Sequence, residues 1–331
     1  MFDGKKILIT GGTGSLGKAL TKQILKSEVN TIRIYSRDEL KQSEMQADYD
    51  DSRLRFLIGD VRDKNRLYRA LEDIDIVIHA AALKQVPVVE YNPFEAVKTN
   101  VYGTQNLIEA CLDRGVKTAL AVGTDKAVAP FNTYGTTKLL MERLFISANY
   151  YKGNRDINFV CVRYGNVMGS RGSIVPTLIN QIQNGNKITI TDPEMTRFSI
   201  SMNEAVDLIT RALEGIGGEI FIPKLNAYKT GVMKDAIMEL LGAKNEVVRI
   251  PVRPGEKYHE SLISKDEIRN VYESKEDYIL FEEQTQHHNI ENGNSVIKSN
   301  LKASYSSDKV KLFTKEELKN ILLKEKLIFK D

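Results

Sequence analysis

Along the first half of the chain, short apolar runs alternate with stretches whose apolar positions follow a helical period. The runs lie at 6–10, 31–36, 54–59, 74–80, 118–123 and 158–164. Each is apolar almost from end to end, which predicts strands covered on both faces. Between them, 15–25, 39–47, 64–72, 93–114 and 134–150 carry the spacing of amphipathic helices. Strand and helix taking turns in this way imply right-handed crossovers. The pattern therefore predicts an α/β fold built on a doubly wound parallel sheet.

The rhythm changes after about residue 166. Pro176, Pro193, Pro223, Pro251 and Pro254 punctuate shorter elements. A helix is predicted at 203–213, then a strand at 218–222 that rejoins the sheet. The polar stretch 281–306 reads as a long loop, and 315–324 as a short helix. The chain is expected to divide into a first unit, 1–166 with 197–223 returning to it, and a smaller C-terminal lobe of 167–196 and 224–331. Doubly wound sheets bind ligands beyond the C-terminal ends of their strands, so the lobe is expected to cover that edge.

Composition narrows the possibilities without choosing among them. Hydrophobic residues are 42% of 331, enough for a sizeable core. No apolar run approaches the roughly 20 residues that span a bilayer. The run at 7–9 is too short for a secretion signal, so a cytoplasmic chain without membrane attachment is expected. Net charge is +3, from 47 basic and 44 acidic residues, which gives no sign of a nucleic-acid partner. Cys111 and Cys161 sit in apolar surroundings and read as reduced core residues. His259 and the pair His287 and His288 lack partners at ligand spacing, so no metal site is expected.

The first strand runs into Gly11-Gly12-Thr13-Gly14-Ser15-Leu16-Gly17 and then into a helix. Glycine there permits a tight turn and lets the backbone approach a pyrophosphate seated on the free N–H groups of the helix start. That context points to a dinucleotide cofactor held by Gly11, Thr13, Gly14, Ser15 and Leu16. The second strand ends Tyr35-Ser36-Arg37-Asp38, with Lys41 following. A carboxylate suits the ribose hydroxyls of NAD, whereas Ser36, Arg37 and Lys41 suit a 2′-phosphate. NADP is favoured, and Asp38 keeps NAD open. Asp60 and Val61, after the third strand, are placed to meet the adenine; Ala80 and Ala81, at the end of the fourth, are assigned to the cofactor as well.

The fifth strand ends in Gly123-Thr124-Asp125-Lys126, and Tyr134-Gly-Thr-Thr-Lys138 begins ten residues after Thr124. Tyr134 and Lys138 are four apart and share a helix face. An ammonium beside a phenol favours phenolate, which would make Tyr134 an acid or base usable near neutral pH. The hydroxyl of Thr124 is suited to hold a reacting alcohol or carbonyl.

Together, the Gly-x-x-Gly-x-x-Gly loop, Thr124 and Tyr134-x-x-x-Lys138 resemble the extended short-chain dehydrogenase/reductase superfamily, whose members join a Rossmann domain to a small C-terminal nucleotide-sugar domain. Finer motifs are Tyr35-Ser-Arg-Asp-Glu-Leu-Lys41, His79-Ala-Ala-Ala-Leu-Lys-Gln-Val-Pro87, Thr124-Asp-Lys-Ala127 and Arg163-Tyr-Gly-Asn-Val167. With them stand Ser170-Arg-Gly-Ser173, Met195-Thr-Arg-Phe198 and Arg253-Pro-Gly-Glu-Lys257. This set resembles the inverting UDP-N-acetylglucosamine 4,6-dehydratases of pseudaminic acid and related bacterial surface-sugar pathways. The likeness runs from Phe2 to about Leu318. Some capsule-pathway relatives carry Met where this chain has Tyr134, which brings it closer to the pseudaminic acid type.

The resemblance implies a substrate, UDP-N-acetylglucosamine, and a reaction. Tyr134, assisted by Lys138, would take the C4 hydroxyl proton as hydride passes to NADP⁺. The C4 ketone acidifies C5; a base removes that proton, water leaves from C6, and hydride returns to C6. The product would be UDP-2-acetamido-2,6-dideoxy-β-L-arabino-hex-4-ulose. Asp125 is assigned as the acid at C6 and Lys126 as the base at C5, for which the Lys126 pKa must fall through burial or a nearby cation. Retaining relatives carry Asp-Glu at this pair, and the lysine is compatible with protonation from the other face of C5. Lys84, after the fourth strand, would approach substrate or cofactor phosphates. Asn166, Arg171, Arg197, Arg253 and Glu256 would clamp uracil, ribose and diphosphate. A homo-oligomer is expected, as in related enzymes. Two rivals stand beside this reading: a 4-epimerase of the same fold, which needs no acid–base pair for C6, and a non-catalytic NADP-sensing regulator, which would not need Tyr134.

Overall fold

A computed structural model of the chain describes residues 1–281 and 296–328. The six predicted strands are present as β1 Lys6–Thr10, β2 Thr31–Ser36, β3 Leu54–Ile58, β4 Ile76–His79, β5 Thr118–Val122 and β6 Asn158–Val162. They lie in the order β3-β2-β1-β4-β5-β6 and are all parallel. The predicted returning strand, Glu219–Pro223, adds a further parallel strand beside β6. Ile9 lies opposite Ile34 on one side and Ile78 on the other, so the pleat stacks branched side chains into continuous layers. Ile7, Leu8, Ile9, Ile32, Ile34, Val77, Ile78, Leu120 and Phe159 are fully buried there, each contributing about 1.5–3 kcal/mol of hydrophobic stabilisation. Strand order reverses between β1 and β4, which opens a crevice at their C-terminal ends.

The sheet does not stop at Glu219–Pro223. Asp277–Phe281, Val271–Glu273 and Ile297–Lys298 follow in turn, each antiparallel to its neighbour. The division read from sequence gives these residues to the second lobe; in the fold they extend the sheet, pairing backbone groups that an open edge would leave free. Of the predicted loop at 281–306, residues 282–295 lie outside the described residues. The rest of it contains Ile297–Lys298 and a second short strand, Tyr305–Ser306.

A separate apolar core forms where helices Ile174–Gln183, Thr230–Leu240 and Lys315–Lys324 meet, around Val175, Leu178, Met233, Ile237, Leu318 and Leu322. The predicted helices 203–213 and 315–324 appear as Met202–Ala212 and Lys315–Lys324, each opened by a reciprocal cap: Ser201 with Glu204, Thr314 with Glu317.

A helix prediction needs correction. The helix expected at 93–114 is interrupted: Pro93–Ala96 passes into a π-helical stretch, Val97–Tyr102, before Gly103–Arg114. The wider turn brings Asn100 inward. Its Nδ2 donates to Leu83 O and Thr137 Oγ1, both at 3.0 Å, and its Oδ1 accepts from Leu83 N at 2.9 Å. This staples the loop after β4 to helix Thr133–Tyr151. Among the described residues, no helix is long and apolar enough to cross a membrane. Cys111 and Cys161 are buried and unbridged.

Candidate active site

A cavity of about 730 Å³ opens beyond the C-terminal ends of β1, β4 and β5, between the sheet and the second core. Its wall takes residues from the glycine loop, the ends of β2 to β5, and the second lobe. Of the residues assigned from sequence to catalysis, cofactor or substrate, Asp125 alone does not line it.

The glycine loop forms one end. Gly11 has φ +68°, and a Cβ there would lie 2.9 Å from Ala81 N. A Cβ on Gly17 would overlap the Gly12 carbonyl. The loop therefore closes on the end of β4 only as glycine. Helix Ser15–Ile24 starts at Gly14 without a side-chain cap, leaving its first N–H groups to a ligand. These features fit a dinucleotide pyrophosphate, with Thr13, Ser15, Leu16, Val61, Ala80 and Ala81 on the same wall. At the end of β2, Asp38 caps helix Glu39–Tyr49 by accepting from Lys41 N at 3.1 Å and also pairs with the Lys41 ammonium. Its carboxylate is thereby committed to the protein. Arg37 is exposed and 3.7 Å from Asp60, which pairs more closely with Arg62 at 2.7 Å.

The reactive residues gather at the end of β5. Thr124 caps a single 3₁₀ turn, Asp125–Ala127, and its hydroxyl donates to Asp125 Oδ1 at 3.0 Å. Tyr134 lies in the first turn of helix Thr133–Tyr151, whose cap is Asn132 accepting from Gly135 N at 2.7 Å. Burial pushes the Tyr134 phenol up to about 12, while nearby Lys126 and a hydrogen bond with Thr124 pull the other way. Lys138 shares the helix face as predicted, but the expectation that its ammonium activates Tyr134 needs correction. Its Nζ donates to Val122 O at 2.6 Å and sits 2.8 Å from Met141 Sδ. Burial lowers it to about 8. The cation acting on Tyr134 is Lys126.

Lys126 also departs from expectation. Its Nζ donates to Asp125 Oδ1 at 3.0 Å and to Asn166 Oδ1 at 3.3 Å, and lies 3.4 Å from Glu260 Oε1. Burial would lower its pKa as a base requires, but Asp125 and Glu260 together outweigh burial and raise it. Asp125 is fully buried behind this lysine, and its Oδ2 has no hydrogen-bond partner.

Toward the second lobe, Arg171 and Arg253 are exposed on the cavity rim, and among the described residues their guanidinium groups meet no carboxylate. Arg197 and Glu256 are spent on each other at 3.0 Å, with Arg197 also donating to Thr196 O and Tyr258 O. Lys84 reaches the wall, and desolvation, with Lys126 and Arg171 nearby, lowers its pKa. Sequence reasoning missed Thr99, Ser173, Tyr164, Tyr228 and Glu260, all on the wall. Thr99 Oγ1 and Ser173 Oγ are buried there without partners. The signal for Glu260 was slight: a carboxylate abutting the short apolar strand Ser261–Ile263. His259 bonds Thr196 Oγ1 at 2.8 Å; His287 and His288 lie outside the described residues.

Comparison with known proteins places the chain. A family described as polysaccharide biosynthesis protein matches residues 7–282. A Methanocaldococcus jannaschii relative, named an uncharacterized membrane protein, is 46% identical over 97% of this chain and 96% of its own. The inverting UDP-N-acetylglucosamine 4,6-dehydratase of Campylobacter jejuni is 50% identical over 85% of this chain and 84% of its own. A Rickettsia rickettsii protein named UDP-glucose 4-epimerase is 43% identical over 84% and 83%. The solved structure of Pen from Bacillus thuringiensis, 38% identical, superposes with a TM-score of 0.94 over 99% of this chain and 100% of that one. The chain belongs to the polysaccharide biosynthesis protein family and carries the Rossmann-type fold of the extended short-chain dehydrogenases.

Proposed function

We propose that the protein is a nucleotide-sugar 4,6-dehydratase that acts on UDP-N-acetylglucosamine with NADP and inverts C5, an early step toward a bacterial surface sugar such as pseudaminic acid. The observation that carries this reading is the acid–base pair Asp125–Lys126 packed beside Tyr134 and Thr124. Oxidation at C4 needs one proton acceptor. Elimination across C5 and C6 needs two further groups, and an epimerase has no use for them.

A dinucleotide would be held by the glycine loop and by Ser36, Arg37 and Lys41, and its nicotinamide would supply oxidation at C4 and reduction at C6. With Asp38 and Lys41 paired to each other, exposed Arg37 and the Ser36 hydroxyl are what the end of β2 offers a ligand, which favours a 2′-phosphate. Lys138, tethered to the end of β5 and on the cavity wall, would contact the cofactor. Tyr134 takes the O4 proton, its phenolate stabilised by Lys126 and Thr124. Lys126 removes the C5 proton, and Asp125 gives a proton to O6, which leaves as water. Lys84, Asn166, Arg171 and Arg253 face the nucleotide diphosphate, with Arg197 braced by Glu256. The second core would thus form the sugar-nucleotide lobe. A cytoplasmic homo-oligomer is part of the proposal; exposed Tyr91, Phe94 and Phe131 are suited to self-association.

A second reading, 4-epimerase, draws on the name of the Rickettsia relative. Incubation with UDP-N-acetylglucosamine in heavy water separates them. The proposal predicts loss of one water by mass, deuterium at C5 and an L-arabino product by NMR. An epimer without water loss would favour the second reading, and no turnover of any nucleotide sugar would favour a regulator.

A further inference from the structure

Lys126 poses a chemical problem. A base at C5 must present a neutral amine, yet two carboxylates hold this ammonium charged. Asp125, ionised at rest, takes the proton it delivers to O6 from O4, through Tyr134 and Thr124, so the proton that Lys126 gives up needs another place.

Glu260 meets that need. Its side chain is 3% exposed, lines the cavity, and approaches Lys126 Nζ at 3.4 Å through Oε1. The other oxygen, Oε2, is buried with no hydrogen bond; the Lys257 ammonium is 4.0 Å away and donates instead to Val128 O at 2.7 Å. The backbone is clamped on both sides by Ser307, whose Oγ accepts from Glu260 N at 2.9 Å and whose N donates to Glu260 O at 2.8 Å. The side chain is thus fixed while one oxygen stays open. Charged groups facing it are Lys126 and Asp125 from the turn after β5, Arg197 from strand Thr196–Ile200, and Lys257 on its own segment. Burial dominates among these influences and raises the carboxyl pKa, favouring the form that carries a proton.

We propose that Glu260 is the proton partner of Lys126, a positioning residue whose buried carboxylate takes the ammonium proton so that a neutral amine meets the substrate. An Nζ–H bond breaks and an Oε–H bond forms on Glu260. The freed amine lone pair then takes the C5 proton, and the C5 electrons pass into the C4 enolate; Glu260 returns to carboxylate by releasing its proton to solvent as C5 is protonated from the other face. This rests on the reading of Lys126 as the C5 base.

The test uses cofactor-loaded protein and UDP-N-acetylglucosamine in buffered heavy water, reading C5 deuterium by NMR and reduced nicotinamide by its absorbance. In Glu260→Gln, reduced nicotinamide should still form, while C5 exchange falls about 100-fold at neutral pH. Exchange should then climb about tenfold per pH unit, because Lys126 must now lose its proton to solvent. Glu260→Asp should keep a carboxylate at longer reach and fall between the two. It carries the test by itself should the glutamine variant fail to hold cofactor: exchange about tenfold below wild type is expected. Exchange within twofold of wild type with an unchanged pH profile, in either variant, overturns the assignment. If Lys126→Ala abolishes exchange while the Glu260 variants leave it intact, only the Glu260 role falls. If Lys126→Ala exchanges C5 normally, the base reading falls with it.

Discussion

Two buried clusters in this fold share a plan, one cation between two carboxylates, and differ in how completely they are bonded. Arg163 joins Glu142 at 2.8 Å to Glu267 at 3.0 Å and donates to Leu262 O. All four oxygens of those carboxylates accept hydrogen bonds. Lys126 lies between Asp125 and Glu260 at similar distances, but Asp125 Oδ2 and Glu260 Oε2 accept none. A buried polar atom left unpaired costs about 1–3 kcal/mol. The first cluster spends its charges on joining helix Thr133–Tyr151 to the strand Ser261–Ile263 region. The second keeps part of its bonding capacity for something that enters the cavity.

The comparison is most easily broken by removing each cation. Arg163→Met should cost about 3–5 kcal/mol in chemical denaturation, because two dry carboxylates lose their partner. Lys126→Ala should cost less, about 1–3 kcal/mol, since one of its two carboxylates, Glu260, lines the cavity while only Asp125 is left fully buried. Equal losses would erase the distinction. In turnover the order reverses: Lys126→Ala should lower C5 exchange by about 10²–10⁴-fold with cofactor still bound.

Lys138 sharpens the series, as a buried cation whose ammonium bonds a carbonyl and meets no carboxylate in hydrogen-bond contact. Burial brings it to about 8, and Glu142 offsets only part of that. Its charge is present below that pH and lost above it, so cofactor affinity should weaken by up to about tenfold as pH rises from about 7 to about 9. Lys138→Met should bind weakly at both values, with that pH dependence gone; a wild-type slope in the variant would remove Lys138 from the cofactor site. Arg37 is the exposed end of the series, 3.7 Å from one carboxylate. Arg37→Ser should reduce the preference for NADP over NAD by about tenfold, read as a ratio of dissociation constants, and an unchanged ratio would place the 2′-phosphate elsewhere.

Most of the sheet was legible because each strand is a local apolar run and each crossover a local helical period. The glycine loop was legible for the same reason: turn, free helix start and steric need all lie within Gly11–Gly17. What escaped was assembled across the chain. Lys126 and Glu260 meet at 3.4 Å through folding alone, so no spacing announces them. The direction of the Lys126 shift follows from its sequence neighbour Asp125 and from Glu260 together. The π-helical turn at Val97–Tyr102 escaped because its sequence keeps ordinary helical periodicity, and only its contacts with Leu83 and Thr137 explain it. The strand Asp277–Phe281 escaped because its pairing partner, Glu219–Pro223, is remote in sequence.

The central claim is that one hydrogen leaves C4 and returns at C6 within the same bound sugar. UDP-N-acetylglucosamine carrying deuterium at C4 tests it directly. The account predicts a product lighter by one water, with the deuterium in the C6 methyl group. Deuterium found back at C4 of an epimer of unchanged mass would contradict it.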